Sequence, residues 1–437
     1  MIVIEGRAFL EGRLEPAAIG VEDGKIIAIK RELRGEPVYR FSDALILPGG
    51  VDVHVHFREP GMTEKDDFFS GTESAAIGGV TTVVDMPNTV PPVTTPEALR
   101  DKLRLVSRSA NVDFGLYAAP TVDRDVKALR EATAFKVYLA ETTSAPVIPE
   151  IDVAGAILRA VKDTGSYLSA HCEHLPRGKA TWHLEESETG ETFDVGGLSK
   201  GTAKDLEGYH RARNTFAETS AIRQLGKHLG DSRLHIAHVT TEEAVSARPR
   251  GATCEVTPHH LLLDTESPLG ALGKVNPPLR PSAYRHALWD RLVEGRIDMF
   301  ASDHAPHTLD EKSRKFEDAP AGVPGVATTF PVLFRYVRRQ ILPLERFVAM
   351  FSGNPATLLR ANKGEIAVGR DADLIVVDPR HVEKVTAKRC RYKCGWTPFE
   401  GAEGTFPTAT FVRGELVAKD GNLVGERAGR RISPIQR

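Results

Sequence analysis

Eight short apolar runs divide the middle of the chain: VDVHVHF, VTTVVDMP, DFGLYAAP, AFKVYLA, SYLSAHCE, RLHIAHVT, TCEVTPHH and DMFASDHA. The segments between them, such as TTPEALRDKLRLVSRS, PEIDVAGAILRAVKDTG and PSAYRHALWDRLVEGR, space their apolar residues as amphipathic helices do. Strand and helix alternating eight times over roughly 310 residues leave one main architecture, a (β/α)8 TIM-type barrel over residues 48–361. In that fold, function sits at the C-terminal ends of the strands. His54 and His56, Asp85 and Asn88, Lys136, His171, His238, Glu255 with His259 and His260, and Asp303 all fall at or just past such an end. Ionisable groups gathered on one rim do nothing for stability alone, so the rim is the expected site.

Residues 1–47 and 362–437 have another texture. Their runs (MIVIEG, AAIGVEDGKIIAIK and DALILP; GEIAVGRDADLIVVD and TATFVRGELVAKDG) alternate apolar and polar residues, with Asp23-Gly24 and Asp420-Gly421 as hairpin signals. The two ends are expected to form one composite small β-sandwich beside the barrel. A polar, Gly-rich segment from about Arg177 to Glu207 reads as a long loop over the barrel mouth.

Charge and cysteine usage narrow the partners. With 57 Lys plus Arg against 59 Asp plus Glu, the chain has no basic field for a nucleic-acid backbone. No basic-then-apolar leader and no long apolar run point to secretion or to a membrane, so a cytoplasmic location and a small-molecule substrate are expected. Cys172 and Cys254 lie in apolar runs, and Cys390 and Cys394 have no second Cys or His pair nearby. All four read as reduced thiols rather than as disulfides or half of a structural zinc site.

His54 and His56 are two apart on a strand, so both leave one face and can share a metal ion; alone, such a pair is more often two partly buried or solvated histidines. Three further strands add His171, His238 and Asp303. Two divalent ions need more ligands than these if a water is to remain, and a bridging anion is the missing part. Lys136 stands mid-strand, where it reads in two ways. It snorkels to the mouth or pairs with an acid such as Glu255; or burial lowers its pKa and the neutral amine adds carbon dioxide to form a bridging carbamate.

In their contexts these residues become recognisable. DVHVHFREPG, DMPNT, FKVYLAETT, HCEH, HIAHVTT, CEVTPHHL, NPPLR, SDHAPHT and GEIAVGRDADLIVVD together resemble the dihydroorotases of the metal-dependent cyclic amidohydrolase superfamily. The resemblance covers nearly the whole chain. It implies two divalent ions, most readily Zn2+, with His54, His56 and Asp303 on the first, His171 and His238 on the second, and carboxylated Lys136 between them. His238 is chosen over His235 because the ligand precedes a Val-Thr pair, and His235 is expected to be a packed histidine. Arg58, Asn88 and His307 match substrate contacts, Asn276 stands where relatives carry arginine or asparagine, and Thr142 and Thr143 match a loop that closes over substrate. Glu255 is either a partner of the ligands or a further ligand.

The implied reaction is reversible closure of N-carbamoyl-L-aspartate to L-dihydroorotate plus water in de novo pyrimidine biosynthesis, with a metal-bridging hydroxide and Asp303 as general acid and base. The rival readings are a hydantoinase- or allantoinase-type hydrolase and an inactive scaffold that partners aspartate transcarbamoylase. A homo-oligomer is a further expected assembly. Arg58 separates the first rival, since neutral rings offer no carboxylate to bind, unless Arg58 simply pairs with Glu59 or Glu64.

Overall fold

The computed structural model describes residues 1–174, 203–425 and 427–432. The loop expected from Arg177 to Glu207 lies outside the described residues as far as 202; a helix, Leu206–Ala212, follows. The chain opens with β1 (Ile2–Leu10), β2 (Arg13–Glu22), β3 (Lys25–Lys30) and β4 (Val38–Pro48). Asp23 and Gly24 both adopt positive φ, the conformation a two-residue hairpin needs to match the strand twist.

Eight parallel strands come next: β5 (Gly50–Val55), β6 (Val80–Asp85), β7 (Asp113–Ala118), β8 (Ala134–Tyr138), β9 (Leu168–His171), β10 (Leu234–Ile236), β11 (Thr253–Val256) and β12 (Met299–Phe300). They pair in sequence order, and the barrel is nearly closed between its first strand and the segment after its last. His56 N donates to His304 O at 2.7 Å, and the Asp52 carboxylate accepts from His54 N at 3.1 Å and Ser302 N at 3.2 Å. A continuous apolar core lies between the strands and the surrounding helices.

The strands are shorter than the apolar runs that announced them. The TCEVTPHH run leaves the sheet at Val256, where Thr257 caps a short helix, Pro258–Leu262, so His259 and His260 ride on a helix and not on a strand. RLHIAHVT and DMFASDHA likewise leave the ladder before His238 and Asp303.

After the barrel come β13 (Leu374–Val377), the two-stranded ribbon of β14 (Glu383–Lys384) and β15 (Glu403–Gly404), then β16 (Ala409–Val412), β17 (Glu415–Lys419) and β18 (Asn422–Leu423). The terminal strands form one hydrogen-bonded sheet in the order β18-β17-β16-β13-β4-β1-β2-β3, so the two layers of the expected sandwich are continuous. The pairing of β1 with β4 shifts between Phe41 and Leu45, and Phe411 meets both Tyr39 and Phe41 edge-on, so the sheet turns over a small core of its own. The segment before β15 reaches the barrel instead: Trp396 Nε1 donates to His307 O at 2.8 Å, and Lys393 pairs with Asp67 at 2.6 Å. All four cysteines are buried and free. Among the described residues, no helix is long and apolar enough to cross a membrane.

Sheet and barrel are tied by one buried ammonium. Lys363 Nζ lies 2.7 Å from Asp113 at the start of β7, 2.5 Å from Asp373 and 3.3 Å from Asp371. Removing it leaves Asp373 buried without a cation, while Asp113 keeps Arg413 and Asp371 keeps Lys25. Lys363→Met is therefore expected to cost about 3–5 kcal/mol, read as a lower urea midpoint at unchanged slope.

Candidate active site

One pocket at the C-terminal ends of the strands is lined by His54, His56, Arg58, Asn88, Lys136, Thr142, Thr143, His171, His238, Asn276 and Asp303, together with Tyr138, Ala305, Ala321 and Gly322. Three of these residues, Arg58, His238 and Asp303, have φ of 63°, 36° and 43°. Left-handed backbone at an arginine or a histidine costs energy, and here it turns each side chain inward just as its strand ends.

Three of the histidines are held by their outer nitrogens. His54 Nδ1 donates to Glu255 Oε1, His56 Nδ1 to Asn88 Oδ1 at 2.7 Å, and His171 Nε2 to Glu173 Oε2 at 2.7 Å. Each thus turns a lone pair toward the pocket. His54 Nε2 and His56 Nε2 lie 3.3 and 3.1 Å from Asp303 Oδ1, and His171 Nδ1 lies 3.0 Å from His238 Nε2. Burial works against ionising Asp303, but the adjoining imidazoles of His54 and His56 outweigh it and hold the carboxylate well below its usual range. Burial also lowers His56 to about 3, keeping its ring neutral. Two imidazole nitrogens and a carboxylate oxygen that converge within 3.3 Å, with the outer ring nitrogens already engaged, form the N/O donor set a divalent ion takes, so these residues fit a metal. His54, His238 and Asp303 each offer one ligand atom within 4.8 Å of the others, which links the two ligand groups expected from the sequence.

Lys136 is fully buried, and burial lowers its pKa to about 8. It neither snorkels nor pairs with Glu255: its Nζ meets Ser169 Oγ at 3.5 Å and the face of Tyr138 at 5.4 Å, with no salt bridge among the described residues. Glu255 is already engaged by His54, by His235 Nε2 at 2.9 Å and by His238 N at 3.2 Å, which makes it a partner of the histidines. His235 is the packed histidine expected, and it also holds Glu255.

The chain matches the amidohydrolase family over residues 45–417. It is 39% identical to a dihydroorotase of Halobacterium salinarum, across 99% of this chain and 100% of that one. It is 38% identical to a dihydroorotase of Methanosarcina mazei, across 94% and 92%. Among solved structures, an L-hydantoinase (dihydropyrimidinase) from Arthrobacter aurescens superposes with a TM-score of 0.89 at 28% identity, covering 99% of each chain. A dihydropyrimidinase from Brevibacillus agri superposes with 0.86 at 26% identity, covering 100% of this chain and 99% of that one. The chain belongs to the amidohydrolase family. It is a metal-dependent cyclic amidohydrolase, built on the barrel that its apolar runs announced.

One expected contact of this amidohydrolase pocket stands elsewhere. His307 does not line it. The chain after Ala305 turns the His307 ring behind Arg58, where Nε2 lies 3.2 Å from Arg58 and Nδ1 faces Lys65 and Glu311 at 3.3 Å each. Asn88 lines the pocket, but its oxygen takes His56 and the Tyr138 hydroxyl, and its Nδ2 donates to Thr143 O at 2.7 Å. Asn276 Oδ1 accepts from Tyr209 at 2.6 Å. Tyr138 was missed by sequence reasoning. The signal was present, because Lys136 and Tyr138 are two apart on β8 and so share a face.

Proposed function

We propose that this amidohydrolase is a dihydroorotase, closing N-carbamoyl-L-aspartate to L-dihydroorotate plus water and reopening the ring in de novo pyrimidine biosynthesis. One observation carries the reading. Arg58 is only 2% exposed, and among the described residues no carboxylate pairs with it: Glu59 accepts from Phe68 N, and Arg58 Nε is spent on Pro306 O at 3.0 Å. A buried guanidinium without an acid, lining the pocket beside the histidines, calls for a substrate that brings its own carboxylate. Dihydroorotate has one that takes no part in ring opening; the neutral rings of dihydropyrimidinase-type substrates have none.

His54, His56 and Asp303 would hold one divalent ion, and His171 and His238 a second, with Lys136 as carbamate between them; Zn2+ suits this imidazole-rich set. Bound there, the ions supply a Lewis acid for the ring carbonyl and an acidified water. The chain's own residues do the rest. Lys136, whose pKa burial lowers to about 8 so that a fraction of its amine is neutral near pH 7, would add carbon dioxide through Nζ and release a proton. Arg58 grips the carboxylate and sets the ring's orientation. In ring opening, Asp303 takes the proton from the attacking water and passes it to the departing ring nitrogen as the carbon–nitrogen bond breaks; closure runs in reverse. Asn276, Thr142 and Thr143 border the same space as substrate contacts.

We take residues 48–361 as the catalytic barrel and 1–47 with 362–437 as its accessory module. The buried free thiols support a cytoplasmic location, and a homo-oligomer or association with aspartate transcarbamoylase is the assembly we propose. Metal analysis of the purified protein, together with an ultraviolet assay of dihydroorotate formation and loss, tests the function. Turnover of dihydrouracil in preference to dihydroorotate would assign it to the dihydropyrimidinase type, and turnover of neither ring by metal-loaded protein would leave the scaffold reading.

Lys136→Ala is expected to lose the binuclear site and nearly all activity. Small carboxylic acids in excess should restore part of it by filling the vacated space. The variant binding two ions as well as its parent would reject the carbamate.

A further inference from the structure

Two hydrogens from different strands converge on one oxygen of Asn88. His56 Nδ1 donates to Oδ1 at 2.7 Å, and the Tyr138 hydroxyl donates to the same atom at 3.1 Å. Tyr138 is buried, and Asn88 Oδ1 is the only acceptor its hydroxyl has among the described residues. Turning the Asn88 amide over would orphan that hydrogen and set the NH2 group against His56. The amide is thereby fixed with Nδ2 pointing at Thr143 O, 2.7 Å away.

Thr143 belongs to the segment between β8 and the helix Ile151–Lys162, and with Thr142 it borders the pocket. Tyr138 also holds the root of that segment. Its carbonyl accepts from Ile148 N at 2.8 Å, and its backbone bridges to Val147, so the loop leaves β8 and returns to the same residue. A second tether runs from Arg213 NH1 to Glu141 O at 3.3 Å.

We propose that Tyr138 is a positioning residue: through Asn88 it latches the 141–147 loop, and with it Thr142 and Thr143, to the histidine His56. The loop's place over the pocket and the direction of His56 are then set by one amide. The kinetic part of this inference rests on the dihydroorotase reading; the latch itself does not.

The test uses the metal-loaded full chain. Tyr138→Phe keeps the ring beside Lys136 and His171 and deletes only the hydroxyl. Amide hydrogen exchange across 141–147 is expected to quicken about 5- to 10-fold, the worth of one hydrogen bond, while the barrel strands exchange as in the parent. Metal content should be unchanged, and KM for dihydroorotate should rise by a similar factor with a smaller change in kcat. Asn88→Asp still accepts from Tyr138 and His56 but has no donor for Thr143 O. It should loosen the loop by itself, and adding Tyr138→Phe to it should loosen the loop no further.

Unchanged loop exchange in Tyr138→Phe, additive effects in the double variant, or faster exchange spread evenly over the barrel would each overturn the latch. Should Tyr138→Phe not fold, Asn88→Asp, which replaces the donor to Thr143 O by a carboxylate oxygen, still tests the amide's hold on the loop, and unchanged loop exchange in it would overturn the latch. Exchange is read without substrate, so a parent enzyme inactive on dihydroorotate would reject the proposed function and leave the latch to be judged on its own data.

Discussion

Asp303→Asn should fold and load metal nearly as the parent does, yet turn over at least ~100-fold more slowly, since moving a proton in the transition state is commonly worth 10²- to 10⁴-fold. The structure says why the fold should survive. Asp303 sits at φ 43°, a conformation asparagine accepts as readily as aspartate, and the amide fills the same volume between His54 and His56. What is lost is basicity. The native carboxylate is ionised and has an oxygen that can take a proton, whereas an amide takes none. kcat measured at saturating metal, beside metal content and thermal midpoint, checks this. Near-parent turnover would remove Asp303 from proton transfer.

Arg58 carries the second large effect, on substrate choice. Dihydrouracil is dihydroorotate without its carboxylate. A charge-assisted hydrogen bond contributes about 1.5–3 kcal/mol, and a guanidinium left buried and unpaired costs more, so the parent should prefer dihydroorotate by at least about 100-fold in kcat/KM. Arg58→Lys keeps the charge but loses the planar fork and should remain damaging. Arg58→Met should lose most activity on dihydroorotate and change the small dihydrouracil rate far less. Removing Arg58 abandons no ion-paired acid but frees Pro306 O and His307, so a modest fall in thermal midpoint is expected to act equally on both rings, and the ratio of the two kcat/KM values separates a lost clamp from lost stability. Equal losses on the two rings would reject Arg58 as the clamp.

His54 and His56 were legible because strand periodicity alone puts residues two apart on one face, and Lys136 was conspicuous because an ammonium inside an apolar strand is costly anywhere. Tyr138 obeys the same period and was legible in principle. His307 was not. Its motif resembles a substrate contact, but where its ring points depends on the turn after β12 and on Lys65 and Glu311, which come from different parts of the chain. The two readings of Lys136 and of Glu255 stayed open for the same reason: whether a buried charge has a partner is a question about atoms far away in sequence.

The amino-acid sequence by itself determined the eight-fold strand and helix alternation, the rim on which chemistry could gather, and the residue types available there, because periodicity and turn chemistry are local properties of the chain. Only the tertiary structure decided which ring nitrogens meet, that Arg58 forms no ion pair with an acid among the described residues, and which way the Asn88 amide turns. It did so by closing the barrel. Closure places Asp303, 247 residues from His56, at 3.1 Å from it, and holds Arg58 in left-handed backbone that an arginine seldom adopts.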